Sequence, residues 1–271
     1  MQLVIEPGLA TANYWRDLWR YRELMYFLAW RDVLVRYKQT AVGVAWVLIR
    51  PALTMAAFVA FRRLVGAPAA ASVPEPVLVF AAVLPWQFFA TALVDASSSL
   101  TGNASLLSKV YFPRLIIPLA AVLTSLVDFG VTLGLLAALM AWYGVSVTPA
   151  IAALPAFVLL TFGLSLALGL VVSALNVKYR DFRYVVPFLV QMGLFVSPIA
   201  FMTADVPERW RAIYSLNPMV GIIDGFRWAI LGDRMFVDPA SLVVSVFVTV
   251  AVLLAGVWYF RRVERTFADV I

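Results

Sequence analysis

Any chemistry in this chain has to be done without histidine or cysteine, because its 271 residues contain neither. That removes disulfides, thiol nucleophiles and haem ligation, and it leaves no donor set for a transition metal. It also removes imidazole, the usual proton shuttle near neutral pH. None of the three lysines, Lys38, Lys109 and Lys178, follows a glycine, and no GxxxxGK[ST] occurs, so there is no Walker A loop to cradle a nucleotide. What remains is a handful of charges set in apolar sequence. Asp128 lies about 13 residues, or ~20 Å, along an apolar run. An acid at that depth is expected to be neutral, or held by hydroxyls such as Thr124, Ser125 or Thr132. Proton coupling is the weaker reading, because no basic residue or relay stands at matching depth. Arg50, inside the first run, and Asp95, near the inner end of the second helix, lie at similar depths and are expected to touch, unless each reaches interfacial water separately.

Aromatic side chains at helical spacing are the second chemical resource. Tyr184, Phe188, Gln191, Phe195 and Met202 follow a 4-3-4-7 spacing and share one face of a helix bracketed by Pro187 and Pro198. Such a face suits a sugar, since ring C–H surfaces pack on aromatics while hydroxyls find the amide. A lipid-facing or packing stripe has the same pattern. Gly130 with Gly134, and Ser165, Gly169 and Ser173, give the small-xxx-small spacing that lets helix backbones approach within one chain.

The elements that must position these residues are six apolar runs: Ala41–Phe61, Val77–Leu93, Leu115–Tyr143, Ile151–Asn176, Val185–Met202 and Leu242–Phe260. Each approaches or exceeds the roughly 20 residues that cross a bilayer as a helix. With 63% hydrophobic and 13% charged residues, the chain reads as an all-α polytopic membrane protein with about six spans in one transmembrane domain, residues 1–271. Residues 1–40 form a cytoplasmic or interfacial segment, 41–260 the bundle and 261–271 a tail. An even span count puts both termini on one side. Segments 1–50, 98–114, 176–184 and 261–271 then hold 15 of the 21 Lys and Arg, so that side is the cytoplasm. The positive balance is thus topological, and a nucleic-acid partner is not implied. No signal peptide is read in the polar residues 1–23.

Two flanking regions complete the organisation. Residues 22–40 are too charged to cross. On a helix, Tyr26, Trp30, Val33, Leu34 and Tyr37 form one stripe opposite Arg31, Asp32, Arg36 and Lys38, with Asp32 and Arg36 paired at i,i+4. That pattern places a helix in the headgroup plane, as an anchor or as a surface for a cytoplasmic partner or anionic lipid. Between residues 204 and 240, ERWRAIYSLNP and MVGIIDGFRWAILG are too short and too charged to span. They are expected to dip into the outer leaflet as re-entrant helices.

Five stretches carry a resemblance: RDVLVRYKQTAVGVAWVLIRP at 31–51, NASLLSKVYFPRLIIPLAAVLTSLVDF at 103–129, NVKYRDFRYVVPFLVQMGLFVSPIAF at 176–201, SLNPMVGIIDGFRWAILG at 215–232 and ERTFADVI at 264–271. In order and across nearly the whole chain, they resemble the permease subunits of type-2 ABC exporters. The likeness is to the branch that exports O-antigen, capsule and teichoic-acid polymers. Arg50 stands where that family more often carries Gln or Asn.

The resemblance implies a homodimer in the bacterial cytoplasmic membrane, bound to two separate ATP-binding-cassette subunits that hold ATP and Mg. The chain itself would bind no cofactor or metal and would be no enzyme. Cargo would be a polymer on an undecaprenyl-diphosphate carrier. Arg36, Lys38 and Arg50 are the cations nearest an inner-leaflet diphosphate. The polymer would pass along Tyr184, Phe188, Gln191, Phe195 and Met202, with Trp210, Tyr214, Phe226 and Trp228 as an outer gate. Asn103, Lys109 and Arg114 in one inner loop, and Lys178, Arg180, Asp181 and Arg183 in another, would couple to the ATPase. A type-2 permease for a small drug or lipid is the alternative. An integral-membrane glycosyltransferase is distant, because the first outer loop offers one acid, Glu75 between two prolines.

Overall fold

The computed structural model describes residues 14–38, 44–66, 73–107, 109–235, 237–264 and 267. In chain order its α-helices are α1 (Tyr14–Arg20), α2 (Arg22–Lys38), α3 (Val44–Val65), α4 (Glu75–Gly102), α5 (Ala104–Leu107), α6 (Ile116–Trp142), α7 (Leu154–Lys178), α8 (Phe182–Val196), α9 (Glu208–Tyr214), α10 (Pro218–Leu231) and α11 (Pro239–Val263). The described residues form no strand, as expected where lipid offers the backbone no hydrogen-bond partner. Five of these helices, α3, α4, α6, α7 and α11, are long and apolar enough to cross a membrane. The start of the first apolar run, Ala41–Gly43, lies outside the described residues.

Contacts at the helix ends divide the bundle into two poles. At one pole the C-terminal ends of α4 and α7 meet, where Asn176 Nδ2 donates to the Ser97 carbonyl at 3.0 Å. The Arg114 amide, just ahead of α6, donates to Glu264 at the end of α11, at 3.1 Å. At the other pole Arg62, late in α3, lies 3.7 Å from Glu75 at the start of α4. Arg62 Nη1 also donates to the Ala200 carbonyl at 2.8 Å. The chain therefore leaves the end of α7, runs through α8 and reaches the opposite pole by Ala200.

This segment is built differently from the five long helices. The spacing predicted a continuous helix to Met202, but α8 stops at Val196 after 15 residues, about 22 Å at 1.5 Å per residue. The cause is Pro198, which forces the preceding residue out of helical geometry. Ser197 accordingly has ψ 154°. An irregular stretch through Phe201 completes the distance.

Helix α4 is the axis of the bundle, packing on α3, α6, α7, α8 and α10. Its residues Val77 to Val83 are fully buried. With no water to drive association in the lipid phase, close backbone approach has to hold these helices together. Gly169 supplies this: a Cβ there would sit 2.6 Å from the Ala96 side chain on α4. Gly256 does the same for α11, against the Ala167 carbonyl at 2.6 Å. The Gly130–Gly134 pair does not serve intrachain packing, because both face open space. Its helix carries its buried stripe on a different side.

The largest departure from expectation is α10. It was expected to dip into the outer leaflet, yet it is a core element wedged between α4, α7 and α11, with residues 219–227 all buried. Asn217 caps it by accepting from the Met219 amide at 3.0 Å, and Pro218 fills the first turn. Gly232 ends it at φ 68°, a conformation suited to glycine. Gly221 and Gly225 let Ser241 of α11 and Phe157 of α7 approach the helix directly. The short α9, by contrast, buries no residue.

Candidate functional site

The site begins with α2, from which Arg36 and Tyr37 turn inward while Arg31 and Lys38 stay exposed. Leu28 is buried against Leu100, Ile116 and Ala120 at the base of α4 and α6. From there α2 crosses α6 obliquely: Thr124 Oγ1 bonds the Ala29 carbonyl, and seven residues later Arg36 meets Asp128. Arg36 Nη2 donates to Asp95 at 2.7 Å, and its Nη1 pairs with Asp128. Tyr37 donates its hydroxyl to the other oxygen of Asp128. Burial works against the Arg36 charge, but the Asp95 and Asp128 carboxylates outweigh it, so the guanidinium is held above its ordinary pKa. The stripe splits: Tyr26 and Trp30 are stacked and exposed, whereas Tyr37 reaches Asp128. Arg31 pairs with its neighbour Asp32 at 2.7 Å, which replaces the expected Asp32–Arg36 pair.

Three expectations are corrected by this network. Asp128 does have a cation at its depth, carried in by α2. The hydroxyls of Thr124 and Thr132 bond backbone carbonyls, and Ser125 reaches Asp95 at 3.3 Å rather than Asp128. Asp95 takes Arg36, so the Arg50–Asp95 contact does not form. Arg50 instead lies exposed on the wall of the same cavity, with no ion pair among the described residues.

That cavity, about 540 Å³, opens between α2, α3, α4 and α6. Its wall on α4 carries Gln87, Thr91 and Asp95, spaced four residues apart on one helix face. Facing them on α3 are Trp46 and Arg50, again four apart. Arg36 and Asp128 close the inner side. Lys38 ends α2 exposed and does not line it. Of the three proposed carrier cations, the structure brings Arg36 and Arg50 to one place and leaves Lys38 apart.

The α8 face is assembled as spaced. Tyr184, Phe188, Gln191 and Phe195 are all exposed on this helix, and Phe195 packs beside Phe58 of α3 with ring centres 6.4 Å apart. Gly193 backs onto Trp86 of α4. Met202 falls off this face, because the helix has already ended, and its amide is held by Asp205 at 2.8 Å.

At the same pole a buried charge cluster appears that charge counting had assigned to topology alone. Arg62 and Arg227 are 2% and 3% exposed. Arg227 Nη2 donates to the Ile199 carbonyl at 3.1 Å and its Nη1 to that of Phe201 at 3.4 Å, while Arg62 takes Ala200 between them. Three successive carbonyls of a non-helical turn are thus satisfied by two guanidiniums, which is what irregular backbone needs at membrane depth. Asp224 lies 3.7 Å from Arg227. A charged residue inside an otherwise apolar short helix was the sequence signal for this role.

The four outer-gate candidates separate. Trp210 is exposed on α9, and Tyr214 packs its ring against Phe201 at 5.9 Å. Trp228 is half-buried. Phe226 is fully buried between Phe129 and Phe157, a core position rather than a surface one.

The coupling candidates fall into two groups at the pole where α4 and α7 end. Arg180 and Arg183 share a depression of about 400 Å³ with Thr101 and Ala104, so the end of α4 and the segment between α7 and α8 both border it. Asn103 caps α4 and accepts from Arg31 of α2 at 2.9 Å. Lys178 lies over Tyr179, and Asp181 is exposed just before α8. Lys109 and Arg114 line a separate, smaller hollow. Arg114 also donates to the Glu264 carbonyl at 2.6 Å. Burial raises the Glu264 carboxyl above its ordinary value, while the Arg114 amide and Tyr14 hydroxyl hold it partly down.

With this geometry in place, the comparisons are specific. The ABC-2 type transporter family model matches residues 23–231. The chain is 29% identical over 259 residues to an O-antigen export system permease protein RfbA from Myxococcus xanthus, covering 94% of this chain and 98% of that protein. Two proteins of the same name from Klebsiella pneumoniae are 24% and 25% identical, each over 92% of this chain and 95% of their own length. The matched segment runs from α2 through α10 and so takes in the cavity, the α8 face and the buried arginines. This chain belongs to the ABC-2 type transporter family.

Proposed function

We propose that this chain is the membrane-embedded permease of an ATP-driven exporter that moves carrier-linked polysaccharide of the O-antigen type out of the cytoplasm. End-to-end similarity to three O-antigen export permeases carries this reading. Two copies of the chain work with two copies of a separate ATPase, which supplies the nucleotide loop that this sequence lacks. Both termini lie in the cytoplasm of a bacterial cell, and the pole bearing Arg180 and Arg183 is the inner one. The basic segments bordering that pole support this orientation.

Loading takes place beside α2 and α3. The undecaprenyl-diphosphate of the carrier pairs with Arg50, whose guanidinium suits phosphate oxygens and has no carboxylate partner among the described residues. Arg36 serves here through its two carboxylates rather than as a free cation. The glycan then moves along the exposed face of α8, where Tyr184, Phe188 and Phe195 offer rings to sugar C–H surfaces and Gln191 an amide. The depression bordered by the end of α4 and the segment between α7 and α8 receives the ATPase, and short loops joined directly to α4, α7 and α8 transmit its closure.

Replacing Phe188 and Phe195 together with alanine tests the path. Both side chains are exposed, so the complex should assemble at its normal level. Surface polysaccharide should fall several-fold in cells carrying this permease and its ATPase. Unchanged surface polymer with an intact complex would remove α8 from the route.

A further inference from the structure

We infer that the cavity between α3, α4 and α6 binds the sugar attached directly to the carrier diphosphate, so that the permease reads the glycan end as well as the lipid. This rests on the carrier-export reading above and adds a sugar subsite to it. The first support is charge. The formal charges of the lining sum to zero, Arg36 and Arg50 against Asp95 and Asp128, with Arg36 holding both carboxylates. A pocket for the diphosphate alone would need only cations, whereas the wall beyond Arg50 carries Asp95 and Asp128, whose oxygens suit hydroxyl donors. A polyol has the opposite needs: it wants acceptors and donors that carry little net field.

The second support is arrangement. Gln87, Thr91 and Asp95 present an amide, a hydroxyl and a carboxylate on successive turns of α4. Asp95 uses Oδ2 for both Arg36 and Ser125, and its Oδ1 takes no donor among the described residues. Among the described residues Gln87 uses only its amide nitrogen, on a long 3.4 Å contact with Thr54. Facing this polar stripe, Trp46 is 58% exposed and offers a flat apolar ring. One wall for hydroxyls and one for ring C–H groups is the division a hexose requires. Arg50 stands one helical turn from Trp46, where it can hold the phosphate joined to that sugar. A volume near 540 Å³ lies within the ordinary range for small-ligand pockets.

The experiment compares two lipids on the purified permease in lipid nanodiscs: undecaprenyl diphosphate, and the same lipid bearing one N-acetylglucosamine. The wild type should prefer the sugar-bearing lipid. The double variant Gln87→Leu, Thr91→Val loses one or two hydrogen bonds, so its affinity for that lipid should drop about tenfold. Its affinity for the bare diphosphate should not change. Arg50→Gln should weaken both lipids. Monodispersity and unaltered binding of the bare lipid certify that the double variant is folded. Equal losses on both lipids, or no loss on either, would overturn the sugar subsite. Free N-acetylglucosamine binding as tightly as the linked form would also overturn it, by detaching the site from the carrier. If the wild type binds neither lipid, the export reading itself fails.

Discussion

Replacing Arg227 with leucine should cost about 3–5 kcal/mol of stability, the usual penalty for stripping one partner from a buried ion pair. Both Arg227 and Asp224 are nearly inaccessible, so little of that penalty is relieved by solvent. The carbonyls of Ile199 and Phe201 also lose their donor, at the point where α8 has already stopped. Most of the purified protein should therefore aggregate or melt well below the wild type in a detergent-based thermal scan. Arg227→Lys should fall between, because an ammonium cannot span two carbonyls as a guanidinium does. Replacing Asp224 and Arg227 together with leucine should recover part of the loss but not all, since the carbonyls stay unpaired. A double variant as poor as the single one would show that the carbonyls, and not the stranded acid, set the cost.

The second large effect is expected at Arg36. It holds Asp95 and Asp128, which stand 59 and 92 residues away in sequence, so Arg36→Leu would leave two carboxylates facing each other across the cavity. The three side chains keep 30%, 29% and 15% exposure, so the loss should lie near the lower end of the buried-pair range, about 3 kcal/mol. Adding Asp95→Asn and Asp128→Asn should restore most of the thermal midpoint. Lys38→Leu, two residues on and exposed, should change it little. If the triple variant were no better than Arg36→Leu, Arg36 would be acting through packing and not through charge.

These two sites also show where sequence reasoning stops. The apolar runs were legible because the bilayer imposes one length and one hydrogen-bonding solution on every span. The Gly169 approach to α4 was legible in its small-residue spacing, but the same spacing at Gly130 and Gly134 meets open space, so spacing alone does not say which pair packs. What sequence could not supply was the partner of a charge when that partner sits on another helix. Asp128 looked solitary because positions along the runs put no cation beside it, and the one that pairs with it comes from a helix read as interfacial. Arg62 and Arg227 were counted as loop charges for the same reason. Periodicity described α2 as amphipathic, but it could not say which side would meet protein and which lipid. The face of α8 was legible as far as Phe195 and failed at Met202, where Pro198 had already ended the helix.

The central claim is that this chain forms a route for carrier-linked glycan but takes its energy from a partner. The direct measurement places the purified chain in proteoliposomes with its ATPase and a fluorescent carrier-linked glycan. Arrival of glycan on the far face is then followed with an impermeant lectin or glycosidase. Transfer should require the chain, the ATPase and ATP together, and the chain alone should hydrolyse none. Glycan crossing at the same rate without the ATPase, or ATP turnover by the chain by itself, would contradict the account.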